Sequence, residues 1–451
     1  MNELTRRCKA ADLAHAWHPF TQHAFWDEDE IVVIERGEGC FLYDTEGGKY
    51  LDGVSSLWVN PHGHRRAEID AAVKGQLERI AHSTFLGLSN VPASLLAREL
   101  AEAAPEGLKR VFYSDSGAEA VEIALKMAFQ YHKQNGAPER DTFLALGDAY
   151  HGDTLGSVSV GGISLFHSIY EPLLFDVVRV PSPYCYRCPW GRERGSCSRE
   201  CFTALERAFE RYGPKLAAAV VEPRIQGAAG MIVHPPGYLK KMEELCRRYG
   251  TFLIADEVAT GFYRTGELFS CMGEDVRPDF LCLGKGITGG YLPLAATLTT
   301  EEVFEGFLGD ADSGRAFYHG HSYTGNQLAA AAARASLALF REEGTGERIT
   351  GLAARFAEGL EKFTELPHVG DVRVLGMMAG VELVRDRESK EPWPARDRTG
   401  HRVIRAARER GVILRPLGDV IVLMPPLCIS EAELDRLLSV TYNSVIAVTG
   451  K

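Results

Sequence analysis

The sequence predicts an α/β protein, a large domain with a mainly parallel central sheet joined to a smaller α/β domain. Three observations carry this. Short apolar runs recur along the middle of the chain: RVFYS (110–114), FLAL (143–146), AAAVVEP (217–223), TFLIADE (251–257), FLCLG (280–284) and PLAATL (293–298). Most are apolar throughout rather than alternating, as strands covered on both faces are. Helical stretches separate them, and strand-then-helix order implies a sheet flanked by helices.

Taken in order, residues 31–53 (IVVIERGEG, then CFLYDTEGGKYLDG) read as short strands, with GEG and EGG as their turns. The helix–strand alternation starts at about 66. After about 326 come a long helical segment (327–340, then 347–365), the strand-rich RVLGMMAGVELV, a helix over 400–410 and a strand pair around GVILRPLGDVIVLMPP. The expected division is 1–65 as the N-terminal part of the small domain, 66–325 as the large domain and 326–451 as the C-terminal part of the small one.

Composition excludes several classes. Of 451 residues, 45% are hydrophobic and 25% charged, which is not a disordered chain. A net charge of −11 argues against nucleic acid as a partner, which needs a basic stripe against phosphate. No apolar run approaches the roughly 20 residues that span a bilayer, so no membrane is expected. The start, MNELTRRCKAADLAHAW, lacks the apolar core of a signal peptide, and the ten cysteines are scattered. A cytoplasmic location follows as the expectation.

Four local features carry chemistry. Asp256-Glu257 ends the apolar strand TFLIA, where carboxylates face the crevice in which α/β sheets bind ligands; the plain alternative is a helix cap or surface acid. Lys285 in LCLGKGITGG follows another apolar strand, where a lysine with a lowered pKa could attack a carbonyl. The same segment spells G-x-G-x-x-G, but a strand rather than a helix follows, so a dinucleotide site is rejected. SDSGAEAVEIALKMAFQY places a polar turn at a helix N-terminus, whose free N–H groups suit a phosphate. In Gly147-Asp148-Ala149-Tyr150-His151-Gly152-Asp153 a planar residue between glycines can stack on a flat ligand. Each alone fits a loop or capped helix. Together a Schiff-base lysine, an acid for a pyridinium nitrogen, a phosphate-binding helix end and a stacking ring describe a site for pyridoxal 5'-phosphate.

On these residues the chain resembles the class III, or subgroup II, pyridoxal-phosphate aminotransferases of fold type I, over nearly its whole length. IADEVATGFYRTG (254–266) and LGKGITGG (283–290) look like that family's signature. WHPFTQ (17–22), DGVSSLWVNPHGH (52–64), YHGDTLGSVSV (150–160), EPRIQGAAGM (222–231), HGHSYTGNQ (319–327), DVRVLG (371–376) and LRPLGDVIVLMPP (414–426) are similar to the branch that aminates 8-amino-7-oxononanoate in biotin biosynthesis. The alternative within the family is an ω-aminotransferase for a diamine or a 4-aminobutyrate-like substrate. Outside it stands a non-catalytic relative, whose mark would be loss of the lysine; Lys285 is present.

The resemblance implies the following roles. Lys285 carries the cofactor and moves the proton, Asp256 pairs with the ring nitrogen, and Tyr150 stacks near the ring. Gly117 and Ala118 offer N–H groups to the phosphate, and His321 and Ser322 reach it from the neighbouring subunit of a homodimer with shared sites. Gly320 lies against the substrate, Arg415 takes a substrate carboxylate, Glu222 supports Asp256, and Trp58 walls the pocket. The chain departs from many relatives at Phe20, where they carry tyrosine, and at Leu57, where they carry tryptophan. Those two positions bear on the amino donor, leaving S-adenosylmethionine and lysine both open.

One motif falls outside this scheme. Cys185, Cys188, Cys197 and Cys201 form CxxC-x8-CxxxC in a loop rich in Pro, Gly and Arg. Such spacing can hold zinc or an iron–sulfur cluster. Because a large core needs no structural metal, the expectation is four reduced thiols and no metal.

Overall fold

In the computed structural model, which describes residues 1–450, the middle of the chain forms one seven-stranded sheet. Its strands are β1 (Leu108–Ser114), β2 (Thr142–Leu146), β3 (Val177–Val180), β4 (Leu216–Val221), β5 (Phe252–Asp256), β6 (Phe280–Leu283) and β7 (Ala295–Thr300). The order is β1-β7-β6-β5-β4-β2-β3. All neighbours pair in parallel except β7, which runs against both β1 and β6. The expectation of a mainly parallel sheet therefore meets one reversed strand. Pro293 stays outside it, as a residue without an N–H must in a central strand.

β4, β5 and β6 are buried at every position, which is why their sequences do not alternate. The edge strand β3 (VVRV) is missing from the reading of the sequence, being short and interrupted by Arg179. The helix Gly117–Gln134, here α1, packs Val121, Ala124, Leu125 and Ala128 onto the sheet.

The chain ends meet. Strands Ile34–Glu38, Phe41–Asp44 and Lys49–Asp52 form a meander, and Val412–Ile413 from near the C-terminus adds to it, parallel to Lys49–Asp52. A second four-stranded antiparallel sheet holds Val369–Leu375, Met378–Leu383, Val420–Leu423 and Arg415–Leu417. The helices expected near the C-terminal end stand at Gln327–Glu342, Thr345–Glu361 and Thr399–Glu409. No helix among the described residues is long and apolar enough to cross a membrane.

Candidate active site

The carboxyl ends of β1, β2, β4, β5 and β6 open on one side of the sheet, the edge at which α/β sheets bind ligands. A cavity of about 470 Å³ lies there, lined by Trp58, Gly117, Ala118, Tyr150, Glu222, Asp256 and Lys285 among others.

Asp256, the last residue of β5, is buried, and its Oδ2 lies 2.7 Å from Nδ1 of His151. Its Oδ1 accepts a bond from the Val258 amide at 3.0 Å. The carboxylate is thus fixed from behind, while the other ring nitrogen of His151 is buried without a partner. Glu257 next door has a different task. Its carboxylate is fully buried and accepts from the Thr260 hydroxyl and from the Ser270 and Cys271 amides, tying down the loop after β5. The sequence could not separate these two acids; strand alternation does, because neighbours point to opposite sides.

Glu222 follows β4 and accepts from the Tyr150 amide at 3.1 Å and the Gly227 amide at 2.9 Å. Burial, together with the nearby Asp256 charge, pushes its carboxyl up to about 7. Lys285 follows β6 with φ of 42°, a left-handed conformation for a residue with a side chain. Burial holds its amine below the ordinary lysine value, against the pull of Asp256 and Glu222. Its Nζ sits 5.0 Å from the centroid of the Trp58 ring.

Trp58 is delivered by an unusual turn. Ser55, Ser56, Leu57 and Trp58 have φ of 48°, 48°, 78° and 69°, a left-handed run that costs about 1–2 kcal/mol per residue in L-amino acids. Asp52 offsets that cost. Its carboxylate accepts the Ser56 amide at 3.0 Å and the Ser56 hydroxyl at 2.7 Å, and it meets His64 Nε2 at 3.0 Å. Ser55 Oγ donates to the Met424 carbonyl at 2.7 Å.

The opposite wall is the start of α1. Ser116 caps the helix reciprocally with Glu119, while the Gly117 and Ala118 amides make no hydrogen bond among the described residues. These two N–H groups and the helix dipole face the cavity as an anion site. Gly117 is required: a Cβ there would come within 2.5 Å of Val258 Cγ1. At Gly152, with φ of 118°, a Cβ would come within 2.3 Å of Ala118 Cβ, so no side chain fits there either. The chemistry of this donor set, one fixed carboxylate, one amine and two free amides around one cavity, fits pyridoxal phosphate.

Other expected residues lie at the rim or outside the lining. The exposed Phe20 packs edge-on to Phe166 at 5.3 Å, and Phe166 does the same to Tyr150 at 6.3 Å. Tyr150 donates its hydroxyl to Asp153 at 2.7 Å. Leu57 is 45% exposed. Arg415 is half-buried, and burial lowers its pKa while the nearby Tyr150 raises it. Gly320, His321 and Ser322 do not line the cavity within one chain. His321 Nε2 lies 3.8 Å from Glu119, and the Ser322 carbonyl 2.9 Å from His82.

The family profile described as aminotransferase class-III matches residues 24–443. The chain belongs to that family. This aminotransferase is 55% identical over 447 residues to the adenosylmethionine-8-amino-7-oxononanoate aminotransferase of Nitratidesulfovibrio vulgaris, covering 99% of this chain and 82% of the relative. It is 52% identical to the protein of that name from Geobacter sulfurreducens, covering 99% of both. The crystal structure of the Methanocaldococcus jannaschii protein of that name superposes with a TM-score of 0.94 at 45% identity, over 98% of this chain and 99% of that one. An (S)-enantioselective omega-transaminase from Thermomicrobium roseum superposes with a TM-score of 0.93 at 37% identity, over 98% of each.

His151 is the site residue that the reading of the sequence did not single out in this aminotransferase. Its signal was present, since it adjoins Tyr150 in the glycine-flanked turn, but its partner stands 105 positions away.

Proposed function

We propose that this aminotransferase moves an amino group onto 8-amino-7-oxononanoate to form 7,8-diaminononanoate, with pyridoxal phosphate as cofactor. One observation carries the cofactor reading: Asp256, Lys285 and the free amides of Gly117 and Ala118 surround a single cavity. The substrate rests on relatives at 52–55% identity that bear its name. Bound there, pyridoxal phosphate supplies the electron sink for moving an amino group. Asp256, oriented by His151, holds the proton of the ring nitrogen. Gly117 and Ala118 hold the phosphate. Lys285 anchors the cofactor and then carries the proton between carbons, for which a lowered pKa suits it. Tyr150 covers the ring, and Glu222 positions Tyr150 through its amide. Arg415 takes the substrate carboxylate with its planar fork.

The working unit in this reading is a cytoplasmic homodimer. His321 and Ser322, which stay outside the lining of their own chain, serve the phosphate of the partner's site, and Gly320 its substrate. The large domain spans 66–325, and the small one joins 1–65 to 326–451. S-adenosylmethionine is the donor that the relatives' names carry. Phe20 and Leu57 keep a second donor, lysine, open beside it, because neither supplies the hydroxyl or the extra ring that an adenosyl group can use.

The test is a product assay by mass spectrometry with pyridoxal phosphate, 8-amino-7-oxononanoate and each donor in turn. Formation of 7,8-diaminononanoate with either donor is expected. Turnover of only simple diamines or 4-aminobutyrate would assign the chain to the other branch of the family.

A further inference from the structure

The four-cysteine loop is unused by the reaction. It runs from 181 to 199 without helix or strand, between β3 and the helix Glu200–Tyr212. Its backbone bonds are local, such as Tyr184 to Ser182, Gly191 to Cys188 and Ser196 to Glu193. Side chains tether its first part to the rest of the chain, Ser182 donating to Gln226 at 2.6 Å and Lys390 to the Tyr186 carbonyl at 2.7 Å. Tyr184 and Arg187 bond Glu382 on one side, and Arg192 bonds Glu200 at 2.8 Å on the other. A structureless excursion of that length is uncommon in a compact enzyme and usually has a function of its own or is a linker. The argument that a large core needs no metal therefore does not apply here, because the loop lies outside that core.

Cys185, Cys188, Cys197 and Cys201 all line one cavity of about 800 Å³ under this loop. The other six cysteines do not line it. Cys188 opens a tight turn, its carbonyl accepting the Gly191 amide at 2.9 Å. Cys201 sits in the first turn of Glu200–Tyr212, where no side chain caps the helix. Four thiolates on a dication carry two net negative charges. Arg194, Arg199 and Arg224 line the same cavity and have no acidic partner among the described residues, so cations are available to offset them.

We propose that Cys185, Cys188, Cys197 and Cys201 bind one zinc ion in a closed, four-sulfur structural site. Soft thiolates in two close pairs select zinc over hard cations. Among the described residues no three of these sulfurs lie within 4.8 Å of one another, so zinc uptake draws the loop inward over its cavity. Binding releases the thiol protons and orders the loop, while the active site is left as it is.

The test uses the full chain, purified without added metal and dialysed to constant metal content. Elemental analysis is expected to give about one zinc per chain in the native protein and close to none in Cys188→Ser/Cys201→Ser. Trypsin cleavage at Arg192, Arg194 or Arg199 should quicken roughly tenfold or more after chelation and return to the slow rate with added zinc. If the variant does not fold, cobalt(II) added to the chelated native chain still decides. A sulfur-to-cobalt absorption band saturating at one ion per chain supports the site. Native protein that takes up no zinc and shows no such band, that holds iron instead, or whose four cysteines are found as disulfides overturns it.

Discussion

At the floor of the cavity, Asp256, His151 and Glu222 expose no more than 4% of their surface and are held by bonds of 2.7–3.1 Å. At the rim, Phe20 and Leu57 expose 56% and 45% and make no polar side-chain contact. The floor stands on strand ends, which are fixed by the sheet; the rim stands on loops and irregular turns. Rigid placement matters most where protons and charge must be held to a fraction of an ångström. The rim meets those parts of a substrate that do not react, and it can vary without disturbing the chemistry. If this division is right, changes at the floor abolish or cripple every reaction, and changes at the rim alter only the choice of partner.

The largest effect is expected from Lys285→Ala. Losing both the cofactor's anchor and the proton carrier should lower steady-state turnover by about 10⁴-fold or more with every donor. The melting temperature should stay close to native, because removing a buried, strained lysine also removes a desolvation cost. Near-native turnover would end the assignment. Asp256→Asn comes next. A charge-assisted hydrogen bond is worth roughly 1.5–3 kcal/mol, or about tenfold to a hundredfold, and the loss should appear in kcat for all substrates alike. A loss confined to one donor would place Asp256 with the rim.

The floor was legible in the sequence for a physical reason. Buried strands leave uninterrupted apolar runs, and the polar residues that end them, Asp256 after TFLIA and Lys285 after FLCLG, stand out against that background. Pairings across the chain leave no such mark. Nothing near His151 announces Asp256, and nothing in SSLW announces a left-handed turn held by Asp52. The rim was legible only through resemblance. Arg415 is one arginine after a strand until Tyr150 is seen beside it, and Gly320–Ser322 read as a loop. The reversed direction of β7 also depends on how the chain returns between β6 and β1, which no local pattern encodes.

Glu222 sharpens the comparison through pH. Its folded value of about 7 lies above its ordinary 4.5, so the folded state holds this proton more tightly than the unfolded state does. Stability contributed by that proton is full below pH 4.5 and lost as pH rises through about 7. The shift corresponds to at most about 3 kcal/mol. Denaturant melts of the cofactor-free chain between pH 4.5 and 8 should therefore fall less steeply in Glu222→Gln than in the native protein. Parallel pH profiles for the two would mean that Glu222 is ionised throughout and that the floor carries one more negative charge.

The smallest effect is expected at Phe20. Its ring reaches the site by an edge contact with Phe166, which in turn meets Tyr150, and it offers no hydrogen bond. Phe20→Tyr adds a phenol at an exposed position without changing the packing of the ring. One new hydrogen bond is worth about 0.5–1.5 kcal/mol, a gain of roughly twofold to tenfold in kcat/KM. A gain of that size for S-adenosylmethionine, with lysine unchanged, is expected if the donor's polar adenosyl group passes this ring. Equal gains for both donors would mean that the phenol acts on Tyr150 and hence on the floor. No gain for either would remove Phe20 from the donor path and leave Leu57, on its left-handed turn beside Trp58, as the rim position to vary next.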